Sequence, residues 1–396
     1  MLFAVLWVLP VGFVQAEDDT SEKILFGMST ALTGPAALLG QNMRQGILVG
    51  INRINRAGGI QNRPIELITL DDGYEPRRTS PNMRKLILDH DVLAVIGNVG
   101  TPTAVAALPI INREKVLFFA PYTGAGILRK QPPDHYVINL RASYVEETAS
   151  MVDALISQGG VKPEEIAFFT QRDSFGDAGY LGGAQALLNH GLARESEILH
   201  TRYERNTLAV ENALADILLH MPIIKAVIMV GAYAPNAKFI RLARKHGLDA
   251  LFLNVSFVGS VPLAKALKGV DARVVVTQVV PHFNSDLPLV KEYRADLNYA
   301  STRNVASFGS LEGYLAMRVI EKATAKAEQP LTRETLVELI EGLGAFDIGL
   351  GVPMSLSADQ HQASHTVWPT ILHDNVFIPW QWSEMSTLPN MNTLGR

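Results

Sequence analysis

The segment Val92-Leu93-Ala94-Val95-Ile96-Gly97-Asn98-Val99-Gly100-Thr101-Pro102-Thr103 carries the reading of the fold. Its first half is an unbroken apolar run, the pattern of a strand buried on both faces of a parallel sheet rather than the alternation of a half-exposed one. Residues 104–112 continue with helical character, and Thr101-Pro102 reads as an N-cap followed by a proline at the first helical position. A buried strand, a glycine turn and a capped helix make one βα unit. The same unit recurs outward in both directions. Strand candidates lie at 24–30, 65–71, 92–98, 116–120 and 136–140, and a second series at 166–170, 226–231, 251–255 and 274–278. Helical patterns fall at 41–56, 151–158, 181–190, 210–220, 237–246, 310–327 and 333–341. Several stop at Gly58-Gly59, Gly159-Gly160, Gly191 or Gly247, where a helix end favours a left-handed residue.

Repeated βα units predict an α/β protein, built either as an eight-fold barrel or as two doubly wound lobes. Residues 141–147 break the rhythm, and a fresh series follows. A second interruption comes at 274–281, and the two helical patterns near the end have no strand between them. These breaks favour two lobes. A length of 396 residues agrees with two or three domains.

The composition, 47% apolar and 19% charged, is that of a globular chain and excludes a disordered, collagenous or coiled-coil one. A net charge of −4 with no basic block gives no footprint for nucleic acid. The absence of cysteine excludes thiol catalysis, disulfides and Fe–S clusters. Residues 1–16 are free of charged side chains and end in Val14-Gln15-Ala16, followed by Glu17, which predicts a secretory signal peptide over 1–16 and a periplasmic mature protein. No later apolar run reaches the roughly 18 residues that cross a bilayer.

Phosphate-cradling P-loop and dinucleotide glycine motifs are missing. Gly27-Met28-Ser29-Thr30-Ala31 approaches a nucleophile elbow, yet Leu32-Thr33-Gly34-Pro35 prolongs the loop where the helix would have to begin. His361 and His365 have the spacing of a helical metal pair but stand in a segment that reads as a solvated loop, so no metal or other cofactor is expected. Asp71-Asp72 before Gly73 reads as a capping and turn feature. Open α/β sheets bind ligands at the carboxyl ends of their strands. There the sequence places Thr101, with a helix end suited to an anion, and the loop Ala120-Pro121-Tyr122-Thr123-Gly124. The second series adds Asp173-Ser174-Phe175-Gly176, Gly231-Ala232-Tyr233 and Asn254-Val255-Ser256-Phe257. One aromatic beside small or polar groups at several strand ends points to a shared cleft.

The stretch Thr30-Ala31-Leu32-Thr33-Gly34-Pro35, with Gly40, Gly46, Ile54-Asn55 and Gly58-Gly59-Ile60, resembles the opening of the periplasmic leucine/isoleucine/valine-binding protein family. Asp71-Asp72, Val95-Ile96-Gly97, Phe175-Gly176 and Gly231-Ala232-Tyr233 extend the likeness to about Trp380. The resemblance implies two doubly wound lobes joined by a three-strand hinge, with crossings at 141–144, 279–281 and 349–354. Residues 22–140 with 277–352 would form the N-terminal lobe, and 141–276 with 353–385 the C-terminal lobe. It also implies a ligand carboxylate at Thr101, head-group contacts from Tyr122 and Thr123, and aromatic closure by Phe175 and Tyr233. Leu39 and Phe308 would shape the side-chain pocket, beside Ser256 and Phe257. In the family an acidic residue pairs with the ligand ammonium; Ser256 stands in its place, and no Asp or Glu occurs between 251 and 267. Asp173 or Glu147 could substitute; otherwise the ligand lacks an amine, because a buried ammonium without a carboxylate is costly. The expected protein is a non-enzymatic, monomeric solute-binding protein whose partners are a small molecule and a membrane ABC permease. A sensor for a signalling partner and a secreted hydrolase using Ser29 or the acidic pair are the alternatives.

Overall fold

The computed structural model describes residues 22–221 and 223–388; the expected signal peptide lies outside them. Strands β1 (Ile24–Thr30), β2 (Ile65–Asp71), β3 (Ala94–Ile96), β4 (Leu117–Phe119) and β5 (Val137–Ile138) form one parallel sheet in the order β2-β1-β3-β4-β5. Helices α1 (Ala37–Arg56), α2 (Pro76–Arg84) and α3 (Thr101–Glu114) connect them. The chain then crosses over, and α4 (Tyr144–Ser157) opens a second series with β6 (Ile166–Gln171), α5 (Ser174–Asn189), β7 (Leu199–Tyr203), α6 (Glu211–Leu218) and β8 (Ala226–Val230). It ends with α7 (Tyr233–Lys245), β9 (Leu251–Asn254), α8 (Ser260–Ala266) and β10 (Arg273–Gln278). These strands lie in the order β7-β6-β8-β9-β10, again parallel, so both lobes repeat one winding. Each sheet reverses its winding between its first and third strands, and a crevice opens there at the carboxyl ends.

The chain returns to the first lobe with α9 (Pro288–Ala300), α10 (Phe308–Thr324) and α11 (Arg333–Glu341), followed by the hairpin β11 (Gly344–Phe346) and β12 (Met354–Leu356). It leaves again to add β13 (Trp368–His373) and β14 (Val376–Pro379) antiparallel to the edge at β10. The last passage follows β12: Asn139 bonds to His361 and Ala363, so the crossing runs beside the first one at about 361–367 rather than at 349–354. The reason is the β11–β12 pairing, which keeps 344–356 on the first lobe's side.

The apolar runs are buried as their pattern requires: Phe26, Met28, Ile96, Phe119, Phe168, Ile228 and Leu253 are inaccessible to solvent, each contributing about 1.5–3 kcal/mol by burial. Helix α1 buries Leu39, Met43, Ile47 and Ile54 on one face. Its glycines serve another neighbour. A Cβ on Gly46 would lie 1.8 Å from the Ser310 carbonyl oxygen, so α1 and α10 touch backbone to backbone.

Both ends of the α1–α10 crossing are rigid helix, so Gly46→Ala has no side-chain terminus to push aside. Overpacking of this kind costs about 1–3 kcal/mol or more. Urea denaturation is expected to show a lower midpoint with unchanged slope; an unchanged midpoint would mean that the helices can separate freely.

Candidate functional site

The cleft is built from the strand ends of both lobes. After β3 the chain turns through Gly97 and Gly100, both with positive φ. Gly100 has a second reason to be glycine, because a Cβ there would stand 2.1 Å from the ring of Tyr74. Gly100, not Thr101, is the N-cap of α3, and no side chain caps the helix. Thr101 occupies the first helical position. Its hydroxyl is therefore released from capping and meets the Thr123 hydroxyl at 2.7 Å. The loop bearing Tyr122 and Thr123 is braced by hydrogen bonds from Tyr122 N–H to Asn98 O and from Gly100 N–H to Tyr122 O. Two buried hydroxyls thus sit at the start of a helix whose first-turn N–H groups lack intrahelical acceptors.

Facing them are Phe175 and Phe257 of the second lobe. Phe257 lies 5.6 Å from the ring of Tyr122, 5.8 Å from Tyr74 and 4.5 Å from Phe175, and Phe175 lies 5.2 Å from Tyr144. Leu39, Tyr122, Ser256 and Phe308 border one narrow space between the lobes. Half-buried Tyr233 stands on its rim, where Gly259 separates it from Leu39. Leu39, Tyr122, Phe175, Tyr233, Ser256, Phe257 and Phe308 thus meet where the lobes face each other, with the Thr101–Thr123 pair beside the Tyr122 loop.

Sequence reasoning missed the centre of the cleft. Arg141, on the first crossing, is buried with its guanidinium 3.3 Å from Glu147 of α4 and 3.4 Å from Glu312 of α10. It also contacts the Ser256 hydroxyl and lies 5.0 Å above the ring of Tyr122. Glu147 is the acid that the neighbourhood of Ser256 lacks in sequence. One oxygen accepts from Arg141 and from the Ser256 hydroxyl at 2.9 Å; the other accepts from Ser256 N–H at 2.7 Å and Thr277 at 2.5 Å. Four donors saturate the carboxylate. Asp173, the other substitute, accepts from Gln171, Arg205 and Phe175 N–H.

Deep between the lobes, Gln171 donates to the Tyr74 hydroxyl at 3.1 Å, and at the cleft mouth Arg205 and Asn206 reach Glu75 at 3.1 and 2.7 Å. These bonds hold the lobes together. The remaining candidates have structural employment. The Ser29 hydroxyl donates to Asp72 and accepts from Asn82, and Asp71 caps the turn through Leu32 and Gly73 N–H. His361 is buried rather than solvated, bonded to Glu341 and Val137 O, whereas His365 pairs with Glu146. No group that could hold a metal occurs among the described residues.

The periplasmic binding protein family matches residues 23–373. The chain is 25% identical over 329 residues to the leucine-, isoleucine-, valine-, threonine- and alanine-binding protein of Pseudomonas aeruginosa, a match covering 82% of this chain and 83% of that one. Among solved structures, one from Rhodopirellula baltica SH 1, described as "a possible leucine/isoleucine/valine-binding protein", is 49% identical with a TM-score of 0.90, covering 94% of this chain and all of that one. A substrate-binding periplasmic protein from Ralstonia solanacearum is 25% identical with a TM-score of 0.82, covering 90% and 100%.

The charge cluster sets a pH dependence. Burial works against the Arg141 charge, yet Glu312, Tyr144 and Glu147 hold it above its ordinary value. Burial pushes Glu312 up to about 7 against the pull of Arg141, with Glu147 adding to the rise. An unfolded Glu titrates near about 4.3. Between those values the folded chain binds more protons, so the stability tied to neutral Glu312 is full below about pH 4 and lost as pH rises through 7. Relative to Glu312→Gln, the wild type is expected to lose up to about 3 kcal/mol between pH 4 and 8. Urea titrations of both proteins across that range measure it. A constant difference would mean that Arg141 keeps Glu312 ionised throughout.

Proposed function

The chain belongs to the periplasmic binding protein family, and from that premise we propose that it is exported and captures an amine-free carboxylate or amide between its lobes for delivery to an ABC importer. The solute-binding role comes with the family; the ligand class rests on the position of Arg141. The loop at Ser256 is where the resemblance puts a ligand's ammonium. In this chain the cation at that place is the protein's own guanidinium, held against Glu147 and the Ser256 hydroxyl. A ligand ammonium would meet a like charge and a carboxylate whose acceptor positions are filled. The Thr101–Thr123 hydroxyl pair and the helix end behind it suit a carboxylate or an amide oxygen, and the flanking rings suit an apolar body. Binding draws the lobes together about the three crossings, a hinge closure of the ordinary kind.

Competition titration of leucine against its 2-keto and deaminated analogues tests the ligand class. The analogues are expected to bind at least tenfold more tightly than leucine, and Thr101→Ala is expected to weaken the preferred analogue about tenfold while the fold survives. Submicromolar leucine binding without analogue binding would overturn the reading.

Export rests on residues 1–16, and the mature protein is expected to begin at Glu17 in the periplasmic fraction. N-terminal sequencing checks this; a cytoplasmic protein retaining Met1 would contradict it.

A further inference from the structure

Beside the narrow space at Ser256 lies a second, roomier pocket of about 230 Å³. It is formed where α8, the segment following β10, the start of α10 and strand β14 meet. The two spaces share Ser260, Val261 and Phe308 as walls, so the second adjoins the cleft across the Phe308 ring. Its walls are mostly apolar, with Asn284 and Asn375 among them. Val261, Val376 and Ile378 are 38%, 55% and 36% exposed although large and hydrophobic, and Phe283 packs on Phe308 at 4.9 Å. His282 adds to this wall. Its Nε2 bonds to Phe377 O and its Nδ1 accepts from Asn284 N–H, so both ring nitrogens are satisfied. Burial lowers its pKa, which keeps the ring neutral, and it stacks on Phe283 at 4.5 Å and meets Phe308 edge-on at 5.4 Å.

Scattered exposed apolar side chains need no explanation, but several converging on a concave space mark a binding surface. The narrow space beside Ser256 has only about 10 Å³ free, room for about one water, so the carbons of a ligand must find their place elsewhere. The side pocket, at about 230 Å³, is the roomier of the two by far.

We propose that this pocket is the tail subsite of the ligand, taking a straight acyl or arylalkyl chain whose carboxylate head is held at Thr101 and Thr123; the proposal rests on the carboxylate reading given above. Phe308 forms the wall between head and tail sites and sets the length at which a ligand begins to use the second. Chain length, more than branching, then determines affinity.

Calorimetric titration with butanoate, hexanoate and octanoate tests this on the wild type and on the double variant Val376→Asn/Ile378→Asn. Both positions are partly exposed and lie in the terminal hairpin, and thermal melting verifies the fold of the variant. Burial of a methylene favours binding about fourfold, so the wild type is expected to tighten by about that factor per carbon beyond butanoate. The variant is expected to keep the butanoate affinity and lose most of the increment. Equal affinities for all three acids would overturn the tail subsite and leave the head-group reading intact. Failure of every carboxylate to bind would overturn both. A variant that retains the full increment but fails in uptake by whole cells would make the pocket a docking face for the permease instead, and would equally overturn the proposal.

Discussion

Taking a guanidinium out of water costs several kcal/mol unless carboxylates and hydrogen-bond acceptors surround it. Arg141 meets that demand from both sides of the molecule, through Glu312 on α10 of the first lobe and Glu147 on α4 of the second. It stands on a crossing segment, so its neutralisation depends on the two lobes being near one another. Ion pairs this deep are poor evidence of net stability, since an apolar replacement often serves as well. What this one supplies is direction. It fixes which faces meet, places a positive charge beside Ser256 and over the Tyr122 ring, and leaves Glu147 with no acceptor to spare.

The rest of the interface is arranged around that charge. Five rings, Tyr74, Tyr122, Tyr144, Phe175 and Phe257, fill the space between the sheets, and their tilted contacts are each worth about 0.5–1.5 kcal/mol beyond simple burial. Burial raises the hydroxyl pKa of Tyr74 and Tyr122, so both remain neutral donors near the ligand space. At the mouth, Glu75 with Arg205 and Asn206 joins the lobes through partly exposed groups. Such contacts are weak individually. A closure held by weak bonds at its rim and aromatic contact at its centre can reopen, as a solute-binding protein must to release what it binds.

Much of the fold was legible in the sequence because burial on both faces leaves an unmistakable pattern. The runs at 24–30 and 65–71 coincide with β1 and β2, and 333–341 with α11. Strand β7 and the terminal pair β13–β14 were not seen. Leu199-His200-Thr201-Arg202-Tyr203 is an edge strand with polar side chains, and edge strands lack the continuous apolar signal. Helix α2 was hidden by its own content, two prolines and three arginines in nine residues. At the site, residues following strand ends could be listed, since topology alone brings them to the crevice. Arg141 could not, because its partners lie on α4 and α10, six and 171 positions away, and no spacing rule links a hinge residue to a helix of the opposite lobe. Tyr74 was missed likewise; only its positive φ and its nest against Gly100 reveal its place.

The acid missing near Ser256 shows how local reading and spatial chemistry part company. The stretch 251–267 contains no carboxylate, yet the Ser256 backbone and hydroxyl are both bonded to Glu147, 109 positions earlier in the chain. On the proposed reading, what matters for the ligand is therefore not the presence of an acid but whether it is vacant. For an ammonium to take Glu147, Arg141 must withdraw, and Glu312, which has Arg141 as its one ion partner among the described residues, would be left buried and unpaired. Burial already raises the Glu312 pKa to about 7 against the pull of Arg141, so withdrawal of the guanidinium would raise it further and drive it to take up a proton. On the proposed reading, binding of a cation at Ser256 would be coupled to proton uptake at Glu312, whereas a carboxylate or amide seated at Thr101 and Thr123 would leave the ionic cluster whole. The proposed ligand preference then comes down to the rearrangement that each ligand would impose on charges the protein has already paired.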